Sequence, residues 1–207
     1  MKGKFITVEG CEGVGKSTLL SGLKKYLSER GIDAVFTREP GGTEVAEKIR
    51  EVILDASNSA MTDKAELLLY ASARAQHTEE KILPAVREGK LVICDRYSDS
   101  TLAYQGYARG IDKALIRSLN SVAECGVKID ATLFLDLDPE KGFLRKGGAD
   151  KSDRLEKETR AFHKRVYGGF KEIATLEPDR VVSIDASKSA EEVLSSVIEE
   201  LAKRGIV

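Results

Sequence analysis

Short apolar runs alternate with amphipathic stretches along this chain of 207 residues. Five runs are rich in β-branched and aromatic side chains, as is typical of buried strands, and they cover residues 5–8, 34–37, 91–94, 131–135 and 180–184. Between the runs, apolar side chains recur every three or four residues, which is the period of an α-helix. The alternation predicts an α/β fold, with one five-stranded parallel sheet and helices on both of its faces.

Capping residues and glycines predict where the helices begin and end. The predicted helices are one that ends at residue 31 and others over residues 44–54, 63–89, 113–124, 154–175 and 191–203. Asp63 and Glu66 have the spacing of a capping box at the start of the third helix, and Ser189 and Glu192 have the same spacing at the start of the last.

The length and the hydrophobic content of 42% suit one domain, residues 1–207, with a single well-buried core. The chain has 33 basic and 34 acidic side chains, which leave a net charge of −1. This balance provides no general attraction to nucleic acid or to an anionic membrane, so neither is an expected partner. Any recognition of phosphate must therefore be local.

The cysteines and the apolar runs both indicate a cytoplasmic protein. Cys11, Cys94 and Cys125 are odd in number and far apart, without a C-x-x-C pair, which argues against a disulfide framework and a zinc site. The apolar run over residues 5–8 is too short for a signal peptide. No later run approaches the roughly 18 apolar residues of a membrane span.

A glycine-rich turn joins the first strand to the first helix. Gly10, Gly15, Lys16 and Ser17 fit the pattern G-x-x-x-x-G-K-[ST]. In that motif backbone N–H groups surround an anion, the lysine reaches the outer phosphates and the hydroxyl holds Mg²⁺. The alternative is a strand-to-helix turn with a chance Lys-Ser pair, but four constrained positions match by chance in only about one such chain in a hundred. The pattern and its context predict a P-loop.

Charged residues follow two of the predicted strands at their carboxyl ends, where open parallel sheets bind their ligands. Asp95 ends an apolar strand as a Walker-B aspartate does, which predicts contact with Mg²⁺, directly or through water. Its alternative role is a helix cap or a salt bridge. Arg38 and Arg96 lie at equivalent strand ends, and the planar donors of Arg96 suit a phosphate oxyanion.

Tyr70 and Arg74 are four residues apart on the third predicted helix, so they share one face. The tyrosine ring could stack on a base while the guanidinium binds the edge of that base. Ordinary surface packing is the alternative for such a pair. For His77 and His163, a solvated or helix-packing role is the more economical interpretation.

Two further features bear on the charge around the bound phosphates. Glu12 lies within the P-loop, where a carboxylate is unfavourable unless it faces Mg²⁺, a hydroxyl or an arginine; a side chain that points to solvent is the alternative. Residues 145–154 combine two glycines with dense charge, which predicts a mobile loop. The P-loop itself contains no arginine.

Several motifs, at similar separations, are similar to those of the thymidylate kinase family, and they occupy residues 9–18, 38–43, 71–74, 95–106 and 153–156. The resemblance implies the P-loop NTPase fold with a mobile lid at about 145–154. It also implies transfer of the ATP γ-phosphoryl group to dTMP, giving dTDP and ADP, by an Mg²⁺-dependent homodimer. The acceptor phosphate is already ionised at neutral pH, so no general base is expected.

The same resemblance implies a role for each matching residue. The residues that bind ATP are Gly10, Cys11, Glu12, Gly13, Val14, Gly15, Lys16, Ser17, Thr18 and Arg145, the last on the adenine. The residues that bind dTMP are Glu12, Arg38, Pro40, Tyr70, Arg74, Arg96, Ser100, Thr101, Tyr104 and Gln105. Among these, Tyr70 stacks on thymine, Thr101 and Gln105 line the base site, and Tyr104 packs under the deoxyribose. Ser17 and Asp95 hold the metal.

The expected catalytic groups are Glu12, Lys16, Asp95, Arg96, Lys146 and Lys151. The two lid lysines enter because family members without a P-loop arginine carry a basic catalytic residue in the lid, and this lid is a few residues longer than usual. Two rival functions are another P-loop kinase and a nucleotide-switched binding protein. The Tyr-Gln pair after Asp95 argues against the first, and the lack of an Asn-Lys-x-Asp sequence argues against the second.

Overall fold

The computed structural model describes residues 3–148 and 153–207. Its sheet consists of β1 (Lys4–Glu9), β2 (Ala34–Arg38), β3 (Leu91–Asp95), β4 (Ala131–Asp136) and β5 (Val181–Asp185). The strands are parallel in the order β2-β3-β1-β4-β5. All five predicted strands are confirmed, and each predicted end differs from the observed end by no more than one residue.

The central strands read as continuous apolar runs because both faces of the sheet are covered. Ile6 on β1 pairs with Ile93 on β3 and with Ala131 on β4, and all three side chains are fully buried. Because β1 lies in the middle of the sheet, the turn that follows it opens at the centre of the carboxyl edge. This position is the switch point where such sheets bind ligands.

The helices cover both faces, as expected. They are α1 (Lys16–Glu29), α2 (Glu44–Leu54), α3 (Asp63–His77), α4 (Leu83–Arg87), α5 (Ser98–Thr101), α6 (Lys113–Ala123), α7 (Pro139–Lys146), α8 (Arg160–Leu176) and α9 (Ala190–Lys203). A π-helical turn, Thr78–Ile82, joins α3 to α4, and a second one, Leu102–Ala108, follows α5. Within the described ranges, no helix is both long enough and apolar enough to cross a bilayer.

The two predicted capping boxes have different outcomes. The cap of α3 is Thr62, whose hydroxyl accepts from the Ala65 N–H at 3.4 Å, so the predicted Asp63–Glu66 capping box is wrong. Neighbouring Thr and Asp both suit the cap position, and their spacing does not decide between them. At the start of α9, the capping box of Ser189 and Glu192 is confirmed.

The region around the predicted lid also differs from the sequence expectation. Helix α8 begins at Arg160, with Thr159 as its cap, and not at residue 154. Helix α7 extends through Lys146 and ends at Gly147, whose φ of 83° is left-handed. The irregular segment therefore begins at Gly147, two residues after the predicted boundary. Residues 149–152 lie outside the described part of the chain, so the predicted mobility of the loop stays a prediction.

Candidate active site

A cavity of about 680 Å³ lies at the carboxyl edge of the sheet. Its walls include most of the residues that the sequence singles out, namely Glu12, Gly13, Val14, Gly15, Lys16, Ser17, Thr18, Arg38, Pro40, Tyr70, Arg74, Asp95, Arg96, Ser100, Thr101, Tyr104, Gln105, Arg145 and Lys146. Gly10 and Cys11 do not line it, and Lys151 lies outside the described residues. One cavity thus brings together P-loop, strand-end and helix positions that are distant in the chain.

The P-loop turns sharply between β1 and α1. Gly13 has a φ of 71°, and a Cβ at this position would lie 2.0 Å from the carbonyl oxygen of Gly142 on α7, so only glycine fits. Lys16 folds back over the loop, and its Nζ donates to the carbonyl oxygens of Gly10 (3.3 Å) and Cys11 (3.1 Å). Burial lowers the pKa of Lys16, and nearby Arg96 adds to this effect. An anion in the loop would counteract both influences.

Arg96 directly follows β3, and its backbone is in the left-handed region, with a φ of 67°. Its guanidinium pairs with the carboxylate of Glu12 and donates to Ser100 Oγ at 3.2 Å. Burial opposes ionisation of Glu12, but Arg96 and Lys16 outweigh it and hold the pKa of Glu12 at about 2. Glu12 therefore faces an arginine, and the solvent-pointing alternative is wrong.

Glu9 holds the residues that contact Arg96. Its side chain is completely buried, and it accepts from the Tyr97 N–H at 2.7 Å and from Ser100 Oγ at 2.6 Å. Burial and the nearby Asp99 raise the pKa of Glu9 to about 7. Because Ser100 also accepts from Arg96, Glu9 fixes both the backbone and the hydroxyl that position this guanidinium.

Asp95 has the features of a metal-facing carboxylate. Its Oδ1 is buried, and no hydrogen bond to it is found among the described residues. Ser17 is exposed at the first turn of α1 on the wall of the same cavity. The described residues contain no group of three or more His, Cys, Asp or Glu side chains that could hold a metal alone. A buried carboxylate oxygen without a partner fits Mg²⁺, which takes one or two carboxylates together with substrate phosphates.

Arg74 is buried at the other end of the cavity and is only 2% exposed. Its Nε donates to Glu39 at 2.8 Å, Nη1 to Asn120 at 2.8 Å and Nη2 to Thr101 at 2.9 Å. Glu39 also contacts His77 Nδ1 at 3.0 Å. The surface-packing alternative for Arg74 is therefore wrong. The buried carboxylate fixes the plane of the guanidinium at the cavity wall.

Comparison with known proteins gives the family. The family model described as thymidylate kinase matches residues 8–197. The chain belongs to the thymidylate kinase family. The thymidylate kinase of Finegoldia magna is 49% identical over 203 residues, which are 98% of this chain and 100% of that protein. That of Exiguobacterium sp. is 46% identical over 210 residues, with 100% and 99% coverage. A crystal structure of thymidylate kinase from Ehrlichia chaffeensis has a TM-score of 0.78 at 36% identity, covering 97% of this chain and 99% of that one.

Membership of the thymidylate kinase family confirms the P-loop NTPase fold and places this chain among kinases that use ATP. The last two residues of α7, Arg145 and Lys146, both contact other segments of the chain. Arg145 donates to the carbonyl oxygens of Ala186 (2.7 Å) and Ser187 (3.2 Å), which ties α7 to the segment after β5. Lys146 forms an ion pair with Glu156, which is almost completely buried.

Four charged residues in or beside this cavity were not among the sequence candidates. They are Glu9, Glu39, Arg50 and Glu66. Glu39 and Arg50 line the cavity, and Arg50 Nη1 donates to the Pro40 carbonyl oxygen at 2.8 Å. The positions of Glu9 and Glu39 directly at strand ends were a usable signal. Arg50 and Glu66 lie on amphipathic helices, where a charged residue ordinarily indicates a solvated face.

Proposed function

We propose that this protein transfers the γ-phosphoryl group of ATP to dTMP, giving dTDP and ADP. The observation that carries the proposal is the single cavity that joins the P-loop to the segment from Asp95 to Gln105. The P-loop supplies a site for a nucleoside triphosphate, and the second segment contributes the arginine, tyrosine and glutamine of an acceptor site. Membership of the thymidylate kinase family supports dTMP as the acceptor.

The donor would lie along the P-loop. Backbone N–H groups of residues 10–18 and the start of α1 surround its phosphates, and Lys16 exchanges its two carbonyl partners for phosphate oxygens. Arg145 would lie against the adenine, since its guanidinium is fixed at the cavity wall.

The acceptor would occupy the end of the cavity between α3 and the segment after β3. Arg96 and Arg38 would bind its phosphate, and Tyr70 would stack on thymine. The remaining proposed contacts of dTMP are Glu12, Pro40, Arg74, Ser100, Thr101, Tyr104 and Gln105. A phosphate on Arg96 would share this guanidinium with Glu12, which keeps the arginine positioned in the free enzyme.

The metal proposed for this site is Mg²⁺, held by Asp95 and the hydroxyl of Ser17. The unpartnered buried Oδ1 of Asp95 supports this assignment. A metal held by Asp95 and Ser17 would supply positive charge that neutralises part of the charge on the ATP phosphates.

Charge neutralisation and positioning would provide the catalysis. The acceptor oxygen belongs to an ionised phosphate, so no residue has to remove a proton. Lys16 and Arg96 would instead offset the repulsion between two anionic nucleotides, together with Lys146 or Lys151 from the proposed mobile lid. Lys146 lines the cavity, which supports it as one of the two candidates.

A homodimer in the cytoplasm completes the proposal. Apolar side chains are exposed at seven-residue intervals on α2 (Val45 and Val52) and on α6 (Leu115 and Val122), and α3 between them exposes Leu68. A second copy of the chain could cover these three neighbouring helices. The three cysteines are free thiols, which is consistent with a reducing compartment.

A coupled assay of ADP release tests the proposed activity. The purified protein is incubated with ATP, Mg²⁺ and one nucleoside monophosphate at a time from a panel of dTMP, dUMP, AMP, CMP and GMP. We expect the highest kcat/KM with dTMP. Turnover of AMP, CMP or GMP without turnover of dTMP would contradict the assignment of the acceptor.

A further inference from the structure

Glu66 is a buried carboxylate behind the cavity. It lies on α3 one turn before Tyr70, its side chain is fully buried, and it is not part of the cavity wall. Gln105 stands between it and the cavity, and the Nε2 of Gln105 donates to Glu66 Oε1 at 2.7 Å. Two arginines contact the same carboxylate. Glu66 is therefore positioned to act on the substrate through Gln105.

The charge of Glu66 is fixed by these arginines. Arg109 donates through Nε to Oε1 (3.3 Å) and through Nη2 to Oε2 (3.1 Å). Arg154 Nη2 lies 2.6 Å from Oε2 in an ion pair that lacks the alignment of a hydrogen bond. Burial opposes ionisation, but the hydrogen bonds from Arg109 and Gln105 outweigh it and lower the pKa of Glu66. Near neutral pH, Glu66 is an anion.

An ionised carboxylate accepts hydrogen bonds and cannot donate them. The amide of Gln105 must therefore turn its NH₂ group toward Glu66, since the opposite orientation would set the amide oxygen against a carboxylate oxygen. The amide oxygen, Oε1, is then the acceptor that remains free of Glu66. Glu66 thus determines which of the two polar atoms of Gln105 is available to a base in the cavity.

We propose that Glu66 is a positioning residue that makes Gln105 a hydrogen-bond acceptor and so selects bases with an N–H at position 3. Thymine and uracil carry a proton on N3, whereas N3 of cytosine is an acceptor and would meet the Gln105 oxygen without a proton between them. This inference rests on the proposed function, in which Gln105 lines the site of the acceptor base.

The substitution Glu66→Gln makes a directional test possible. Arg109 Nη2 and Arg154 Nη2 only donate and both face Oε2, so the amide oxygen of the new side chain takes that position. Its NH₂ group takes the position of Oε1 beside Gln105, at the expense of the long 3.3 Å contact from Arg109 Nε. Gln105 then turns its own oxygen toward residue 66 and presents its NH₂ group to the cavity. A donor at this position favours the N3 acceptor of cytosine.

The matched substrates are dTMP and 5-methyl-dCMP, which differ only at N3 and at position 4 of the base. We would measure kcat/KM by ADP release and Kd by calorimetry for both nucleotides. Contacts that residues other than Gln105 make at position 4 are the same in both enzymes and cancel from the comparison. We expect the preference for dTMP over 5-methyl-dCMP to fall by at least about tenfold in Glu66→Gln.

The control variant is Glu158→Gln. Glu158 accepts from Arg109 Nη1 at 2.5 Å but has no hydrogen bond to Gln105, so its loss should leave the preference unchanged. A second test uses Gln105→Met, which removes both polar atoms. In that background Glu66→Gln should no longer change the preference.

The outcomes separate the two proposals. If the wild-type protein neither binds nor phosphorylates dTMP, the proposed function is wrong. If the wild-type protein prefers dTMP and Glu66→Gln slows both substrates equally, Glu66 is only structural and this inference is overturned. It is also overturned if Glu66→Gln shifts the preference to the same extent with Met at position 105.

Discussion

The proposed phosphate site is formed by one continuous segment, the P-loop of residues 10–18, whereas the proposed base site joins side chains that are far apart in the chain. Arg74, for example, bonds to Glu39 and to Asn120, which are 35 and 46 residues away. Backbone N–H groups and one lysine dominate the phosphate site, and buried side-chain pairs dominate the base site. Substitutions at the phosphate site should therefore lower kcat, and substitutions at the base site should lower the free energy of unfolding and the substrate specificity.

The largest expected effect is a loss of stability from Glu39→Ala, a substitution at the proposed base site. This change leaves the guanidinium of Arg74 buried without its carboxylate, and His77 loses the same partner. Breaking a buried ion pair on one side typically costs about 3–5 kcal/mol. We expect a loss of this size in the free energy of unfolding, measured by urea denaturation monitored by circular dichroism.

Lys48→Ala is the control for Glu39→Ala, since it breaks the exposed ion pair between Lys48 and Glu44. Exposed pairs contribute little, so this variant should unfold almost as the wild type does. Equal stability of the Glu39 and Lys48 variants would show that the buried network does not hold the base site together.

The second largest expected effect is a fall in kcat from a substitution at the proposed phosphate site. Lys16→Met removes the ammonium that folds over the P-loop and donates to the carbonyl oxygens of Gly10 and Cys11. Loss of one group that stabilises the charge of a transition state typically lowers kcat by about 10²–10³-fold, or about 2.7–4 kcal/mol. Steady-state kinetics at saturating ATP and dTMP would measure this loss. The free energy of unfolding should change little, in contrast to Glu39→Ala. A Lys16→Met variant that loses stability but keeps the wild-type kcat would contradict the proposed difference between the two sites.

The difference between the two sites also explains what the sequence could predict. The P-loop is local, so its pattern and the flanking strand and helix are visible without tertiary contacts. The strands are equally visible, because burial on both faces leaves an apolar run such as 131–135. The proposed role of Glu66 could not be predicted, since a carboxylate on a helix is ordinarily solvated and the contacts with Arg109 and Gln105 depend on the fold. The start of α8 has a usable signal in Thr159, whose hydroxyl caps the helix.

A third prediction concerns Glu9, which connects the P-loop strand to Arg96. The pKa of Glu9 is raised from 4.5 to about 7 in the folded protein, so between these values the folded state binds more protons than the unfolded state. The stability from this group is fully present below pH 4.5 and is lost as the pH rises through 7. Between pH 5.5 and 7.5, the wild type should lose about 1–2 kcal/mol more unfolding free energy than Glu9→Gln.

Urea denaturation of both proteins at these two pH values provides the measurement. Glu12, with its pKa of about 2, stays ionised throughout this range and adds no slope. His163 is present in both proteins, and its titration therefore cancels from the comparison. Parallel pH profiles of the wild type and Glu9→Gln would mean that Glu9 is ionised at both pH values.

The smallest expected effect distinguishes two adjacent residues at the end of α7. Lys146→Ala should lower kcat by at least about tenfold with a smaller change in KM, because a lid cation would act mainly in the transition state. Arg145→Ala should instead raise the KM for ATP, since this guanidinium is fixed at the cavity wall by the carbonyl oxygens of Ala186 and Ser187. Lys141→Ala, an exposed change on the same helix outside the cavity, is the control. If Lys146→Ala keeps the wild-type kcat, the catalytic charge comes from another residue, and Lys151→Ala becomes the deciding variant.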